Sequence, residues 1–135
     1  MEIPEGINCS KEARKAKVCK LLRALYGLNL SPKRWYEKFT ETAFKLDFRP
    51  HKSEPCIFIW SDGKHFIFLI LYSDDMLIVS NFSNKLKRIV ISLKNTFKMT
   101  YLGEPRIFLE MEITRDKKNK VLTLSLVNYI SKMIE

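Results

Sequence analysis

Residues 57 to 80 constrain this chain's fold more than any other stretch. The apolar run "IFIW" is followed by "SDGK", then by "HFIFLILY", then by the adjacent carboxylates Asp74 and Asp75, and then by "MLIVS". Asp-Gly between β-branched and aromatic runs is a strong hairpin signal. The acid pair marks the tip of a second tight hairpin. Strands joined this way pair antiparallel. The middle run is apolar at every position, a pattern typical of strands covered on both faces.

Helical patterns flank this region. In "SPKRWYEKFTETAFKL", Ser31 suits an N-cap and Pro32 the first helical position. Trp35, Phe39, Ala43 and Leu46 form one apolar stripe, and Pro50 closes the region. A second stripe, Leu86, Ile89, Val90, Leu93 and Phe97, predicts a helix that Ser83 could cap. Beyond "YLGEP", Ile107, Leu109, Met111 and Ile113 alternate with other residues, as in one half-buried strand. "DKKNK" reads as a turn, "VLTLSL" as the partner strand and "NYISKMIE" as the start of a helix. Residues 1–17 read as an irregular basic segment. Helices interspersed with antiparallel hairpins predict an α+β layer fold, and 135 residues suit one domain or part of a larger one.

Charge is unevenly spread. The net charge is +9, and residues 11 to 38 carry much of it: Lys11, Arg14, Lys15, Lys17, Lys20, Arg23, Lys33, Arg34 and Lys38 against Glu12 and Glu37. Such a stripe attracts phosphate backbones, or is simply a solvated basic face. The longest apolar run is far below the roughly 20 residues of a membrane span. No secretory signal opens the sequence, so a cytoplasmic or nuclear, non-secreted setting is expected. Cys9, Cys19 and Cys56 are odd in number, without a C-x-x-C pair and with only His51 and His65 as imidazoles. Reduced thiols are expected rather than a zinc site or a disulfide framework.

Asp74 and Asp75 pose the chemical question. Two carboxylates on one turn can share a divalent cation with oxygen ligands, magnesium above all. Two such ions can clamp the attacking and leaving oxygens of a phosphoryl transfer. An Asp-Asp pair is also an ordinary dipeptide on a solvated turn. Its flanks, two apolar strands, are not those of an average surface loop.

With these residues in view, "LYSDDMLIVS" resembles the Y-x-D-D hairpin of reverse transcriptases. "LLRALYGLNLSPKRWYEKF" is similar to the L-Y-G-L-K-Q-[SA]-P-R-x-W-Y block of copia-type retrotransposon polymerases. "EPCIFIW", "FKMTYLGEPRIFLEMEITRD" and "LTLSLVNYISKMIE" resemble further blocks of that family, in family order. The resemblance implies the palm region of an RNA-directed DNA polymerase: an antiparallel sheet with two packed helices. It implies Mg2+ or Mn2+ as cofactor, and a primer-template of RNA or DNA and deoxynucleoside triphosphates as partners. By the same resemblance Asp74 and Asp75 are the catalytic, metal-binding acids, and Tyr72 lies near the primer end. Gly27, Ser31, Pro32 and Arg34 belong to the block beside the nucleotide and template, and residues 108 to 113 match a hairpin that holds the primer. Gly27 could instead serve only a tight turn, and Trp35, Tyr36 and Phe39 read better as core.

Departures from the pattern shape the expectation. The family's first acidic motif, a strand with a third metal-binding aspartate, belongs ahead of "MEIPEGI", and the fingers have no counterpart here. Asn29-Leu30 replaces Lys-Gln, Thr100-Tyr101 stands where Lys-Asp is common, Ser73 takes a usually apolar place, and Glu110 replaces a glycine. The expected entity is therefore a polymerase fragment, inactive in isolation, with the rest of a polyprotein as possible partner. The alternative is a non-catalytic basic nucleic-acid-binding module or retrotransposon relic.

Overall fold

A computed structural model describes residues 2–134. These form helices α1 (Lys11–Ala16) and α2 (Ser31–Lys45), strands β1 (Arg49–Pro50), β2 (Ile57–Ser61), β3 (Phe66–Tyr72) and β4 (Asp75–Ser80), and helix α3 (Ser83–Thr96). Strands β5 (Ile107–Phe108), β6 (Met111–Asp116) and β7 (Val121–Ser125) and helix α4 (Val127–Ile134) follow. The α+β class is as expected. The expected single sheet is instead two antiparallel sheets, ordered β1-β2-β3-β4 and β5-β6-β7. The chain divides into two compact units, Met1–Glu41 and Thr42–Glu135.

In the first unit, α1 corrects the expectation of an irregular start. Ser10 caps it, its hydroxyl accepting the Ala13 N–H at 3.2 Å. "KEARKA" consists of residues with good helix propensity. The Arg14 guanidinium donates to the carbonyls of Ile3, Pro4 and Ile7 at 3.2, 3.3 and 2.8 Å, which ties the preceding loop to the helix. Ser31 opens α2 from inside the helix, and its hydroxyl donates to the Leu25 carbonyl. Along α2, Phe39 and Ala43 of the predicted stripe are buried and Trp35 is half-buried, its ring 6.1 Å from that of Phe39.

In the second unit, β3 lies between β2 and β4, paired Leu69↔Phe58 on one side and Leu69↔Ile78 on the other. Ile67, Leu69 and Leu71 are buried, whereas Phe68 and Ile70 on the opposite face are only half-buried. The expectation of two covered faces thus holds for one. This is the usual state of an antiparallel sheet, whose strand residues alternate between faces. Phe48, Phe58, Ile89 and Leu93 are also buried in this unit, as are Thr42 and Ala43 towards the end of α2. Pro50 does not end the structured region; it pairs with Phe58 on an edge strand, where a missing N–H is tolerated.

The β2–β3 turn is built by Asp62. Its carboxylate accepts the N–H groups of Lys64 and His65 at 3.1 and 2.7 Å and lies 3.1 Å from the His65 ring. The backbone and ring hydrogen bonds of His65 hold the Asp62 carboxyl down at about 2, against an ordinary value of 3.8. A depressed folded-state pKa stabilises above the ordinary value, and that contribution is lost as pH falls towards 2. The thermal midpoint is therefore expected to fall between pH 4 and pH 2, and Asp62→Asn to flatten that dependence. Asn81, just after β4, ties down the same turn, accepting the Phe66 N–H at 2.8 Å and donating to the Lys64 carbonyl.

Helix α3 is entered without the expected serine cap. Ser83 lies inside the helix, and Phe82 takes the cap position with no side-chain cap bond. The Phe82 ring stacks on His65 at 4.3 Å and its N–H donates to the Ser80 hydroxyl, which fixes the entry by packing. Ile89 and Leu93 are buried and Leu86, Val90 and Phe97 half-buried, as the stripe predicts.

The largest departure is at residues 107 to 113. The single strand read from the apolar alternation folds back as the tight hairpin β5–β6, with Phe108 opposite Met111, and a hairpin is what the resemblance implies for residues 108 to 113. Leu109 and Glu110 form the turn, at φ +52° and +63°. Positive φ at both central positions is the primed geometry that matches strand twist, and it favours Asn-Gly or Gly-Gly. The alternation of apolar residues runs straight through the turn, so the pattern conceals it. A non-glycine residue in this region costs roughly 1–2 kcal/mol. Glu110→Gly is expected to stabilise the chain by about 1 kcal/mol and to raise the thermal midpoint by a few degrees, measured by calorimetry.

Candidate functional site

The acid pair sits where the β3–β4 ladder ends. Tyr72 pairs with Asp75, leaving Ser73 and Asp74 as a two-residue turn, and Ser73 adopts φ +48°. Both carboxylates are exposed, and so is Tyr72, at 59%. Pairing continues to the turn itself (Leu71↔Met76, Tyr72↔Asp75), and the Leu71 N–H also donates to the Cys56 carbonyl at 2.9 Å. The acids are thus presented by a fully paired hairpin, the kind of rigid support a site requires.

Asp74 and Asp75 are among the residues that line a wide cleft of about 1930 Å³. Its other walls come from α3, from the segment between α3 and β5, and from the β5–β6 hairpin. The lining is mixed in sign. Glu104 is held by Lys117 at 3.0 Å and Arg115 at 3.6 Å, and the hydrogen bond and charge of Lys117, then the charge of Arg115, push its carboxyl below the ordinary range. The sequence reading of the site missed Lys94, Lys98, Tyr101 and Arg106 on these walls. Its one signal was the Thr100-Tyr101 departure, because positions 20 to 30 residues downstream of a hairpin become its neighbours only through the fold.

The donor set can be tested against a divalent cation. Magnesium is commonly held by one or two carboxylates with waters and substrate phosphates, and two exposed adjacent aspartates suit that role. Among the described residues no group of three or more His, Cys, Asp and Glu side chains could hold a metal ion. The pair therefore fits a shared, substrate-completed cation and not an all-protein cage.

The remaining predicted site residues belong to the other unit. Gly27 has φ +88° with open space where a Cβ would sit, so its conformation, not a close approach, calls for glycine. Ser31 and Pro32 start α2, with the Ser31 N–H donating to the Leu28 carbonyl at 2.9 Å. Arg34 is engaged by Glu37 at 3.1 Å, an exposed pair of small energetic weight. Arg14 is occupied by backbone carbonyls, and Lys38 lies 3.8 Å from Glu41. Within residues 11 to 38 the cations left for an anionic partner are Lys11, Lys15, Lys17, Lys20, Arg23 and Lys33, all exposed.

Comparison with known proteins bears on both units. The family described as "Reverse transcriptase (RNA-dependent DNA polymerase)" matches residues 1–135. The chain is 35% identical, over its whole length, to the "Retrovirus-related Pol polyprotein from transposon TNT 1-94" of Nicotiana tabacum, covering 10% of that protein. It is 32% identical over 73% of its length to the Pol polyprotein from transposon RE1 of Arabidopsis thaliana, covering 7% of it. It is 30% identical over 85% of its length to a putative transposon Ty5-1 protein of Saccharomyces cerevisiae, covering 37% of that protein. The chain thus spans about a tenth or less of the two Pol polyproteins. No solved structure matches it.

Proposed function

This chain belongs to the reverse transcriptase (RNA-dependent DNA polymerase) family carried in retrotransposon Pol polyproteins, and on that premise we propose that its acid hairpin serves metal-dependent nucleotidyl transfer onto a primer. The observation that carries the reading is the geometry of the tip: Asp74 and Asp75, both exposed, on a fully paired Tyr72–Ser73–Asp74–Asp75 hairpin facing a wide cleft. Asp74 and Asp75 would hold Mg2+ or Mn2+, which when bound would neutralise charge on the triphosphate and on the transferring phosphoryl group. The hairpin's part is to hold two carboxylates at a fixed place, and Tyr72 orients the primer end beside them.

The two acids are insufficient for a two-cation clamp, so a third carboxylate must come from outside these residues. β4 is an edge of its sheet, paired only with β3 among the described residues, and offers a free ladder for such a strand. These 135 residues by themselves are accordingly inactive. The free cations of residues 11 to 33 support binding of primer-template. So does the cleft, and that binding would persist without chemistry. Three cysteines with no C-x-x-C pair among them fit a reducing cytoplasmic or nuclear setting. No helix among the described residues is long and apolar enough to cross a membrane.

Binding of a fluorescent RNA–DNA primer-template tests the reading. The logarithm of the affinity is expected to fall linearly with the logarithm of salt, with a slope of roughly −3 or steeper. Absent or salt-independent binding overturns it.

A further inference from the structure

Strand β7 is an edge of its sheet, paired only with β6 among the described residues. The Ile113 N–H donates to the Arg106 carbonyl at 2.8 Å, so the polar backbone groups of Ile113 face the β5 side of β6. Successive residues of an antiparallel strand direct these groups to opposite sides. Those of Thr114 therefore face Thr123, its partner on β7, and those of Leu122 and Leu124 point outwards from the sheet. Among the described residues nothing bonds to them there. The side chains leave the same edge unguarded. Sheet edges are usually blunted by lysine, proline or a bulge, yet Val121–Ser125 holds no charge, proline or glycine in a chain of 24 Lys plus Arg. By contrast, β1 is two residues long and contains Pro50, and β4 opens with Asp75. Leu122 and Leu124 share one face of β7, 60% and 55% exposed.

The strand is complementary to itself. Two copies laid antiparallel about Thr123 set Leu122 opposite Leu124 of the second copy, Thr123 opposite Thr123 and Val121 opposite Ser125. Leu122 and Leu124 of the second copy then exchange both backbone hydrogen bonds through their outward groups, and the leucines of both copies meet on one face. A shift of one residue would set outward groups against inward ones. A shift of two would set Leu124 opposite Lys120, or Leu122 opposite Leu126, whose carbonyl already accepts the Ile130 N–H at 2.9 Å. We propose that a second copy of this chain pairs with β7 in the register centred on Thr123, an isologous contact that joins two three-stranded sheets into one. Five-residue strands bury less than the roughly 1,200 Å² of a stable complex, so the dimer is reversible and held mainly by main-chain bonds. The contact is independent of the nucleotidyl-transfer reading.

The test reads association and register separately. In sedimentation equilibrium the average mass of the 135-residue chain is expected to rise with concentration from one chain towards two. The double variant Leu122→Lys, Leu124→Lys sets lysines opposite one another and is expected to weaken association at least about tenfold. Both positions are exposed, so its thermal midpoint at low concentration should match that of the wild type. Register is read by cross-linking in a chain carrying Cys9→Ser, Cys19→Ser and Cys56→Ser. There Thr123→Cys is expected to form a disulfide with its own copy on mild oxidation, because a non-hydrogen-bonded pair has a Cα spacing of about 4.5 Å, within disulfide reach. Val121→Cys faces Ser125 of the second copy and is expected to remain uncross-linked. A mass that stays at one chain, association unchanged in the lysine variant, or cross-linking no greater for Thr123→Cys than for Val121→Cys overturns the proposal.

Discussion

Primer extension is expected to fall by about three orders of magnitude on Asp74→Asn, in a polypeptide that joins these residues to a third carboxylate. The size follows from the role. A cation at a phosphoryl centre supplies several kcal/mol of charge stabilisation, and each 1.36 kcal/mol is a factor of ten in rate. Asparagine keeps the shape of the side chain and is at home in turns, so the hairpin persists while the charge is lost. Asp74 is exposed and makes no side-chain hydrogen bond or ion pair among the described residues, so the thermal midpoint should not move. The 135 residues alone are expected to give no extension above their own Asp74→Asn control. Extension by the chain alone, lost in that variant, would mean that two carboxylates suffice.

Leu69→Ala is expected to cost the chain about 2–5 kcal/mol, the usual range for truncating a fully buried leucine. Leu69 is 0% exposed at the centre of β3, opposite Phe58 on one side and Ile78 on the other. Small domains are stable by only about 5–15 kcal/mol, so such a loss removes much of the folded population's margin. The urea midpoint should fall by roughly 1–3 M. It should also loosen the acid tip, because the Tyr72↔Asp75 register depends on the ladder that Leu69 anchors. Leu122→Ala on β7, where the side chain is 60% exposed, is the control and should change stability by no more than about 0.5 kcal/mol.

Much of this fold is legible in the residues, and the gaps have physical causes. Asp62-Gly63 and the acid pair mark two hairpins because turn chemistry there is local: Asp62 makes the bonds that close its own loop. The stripe of α3 is legible because Ile89 and Leu93 point to one buried face. The β5–β6 turn is not, since Leu109 and Glu110 adopt left-handed backbone without the glycine or asparagine that usually announces it. Phe82 is invisible as a helix start for a similar reason, its ring stacking on a histidine 17 residues earlier rather than capping its own backbone. The acid pair's place at a hairpin tip was legible, and Tyr72 pairs with Asp75 there. The cleft walls were not, because Lys98 and Arg106 join it only when the chain returns past the hairpin.

Paramagnetic broadening by Mn2+ tests the central claim, that Asp74 and Asp75 form a two-carboxylate cation site, most directly. Titrating Mn2+ into the isotopically labelled chain should selectively broaden the amide signals of residues 72 to 76, at millimolar ion concentrations as befits a pair without a third ligand. The Asp74→Asn, Asp75→Asn double variant should lose the effect. Broadening absent from the hairpin, or centred on Glu104 and Asp116 and unchanged in the double variant, would contradict the account.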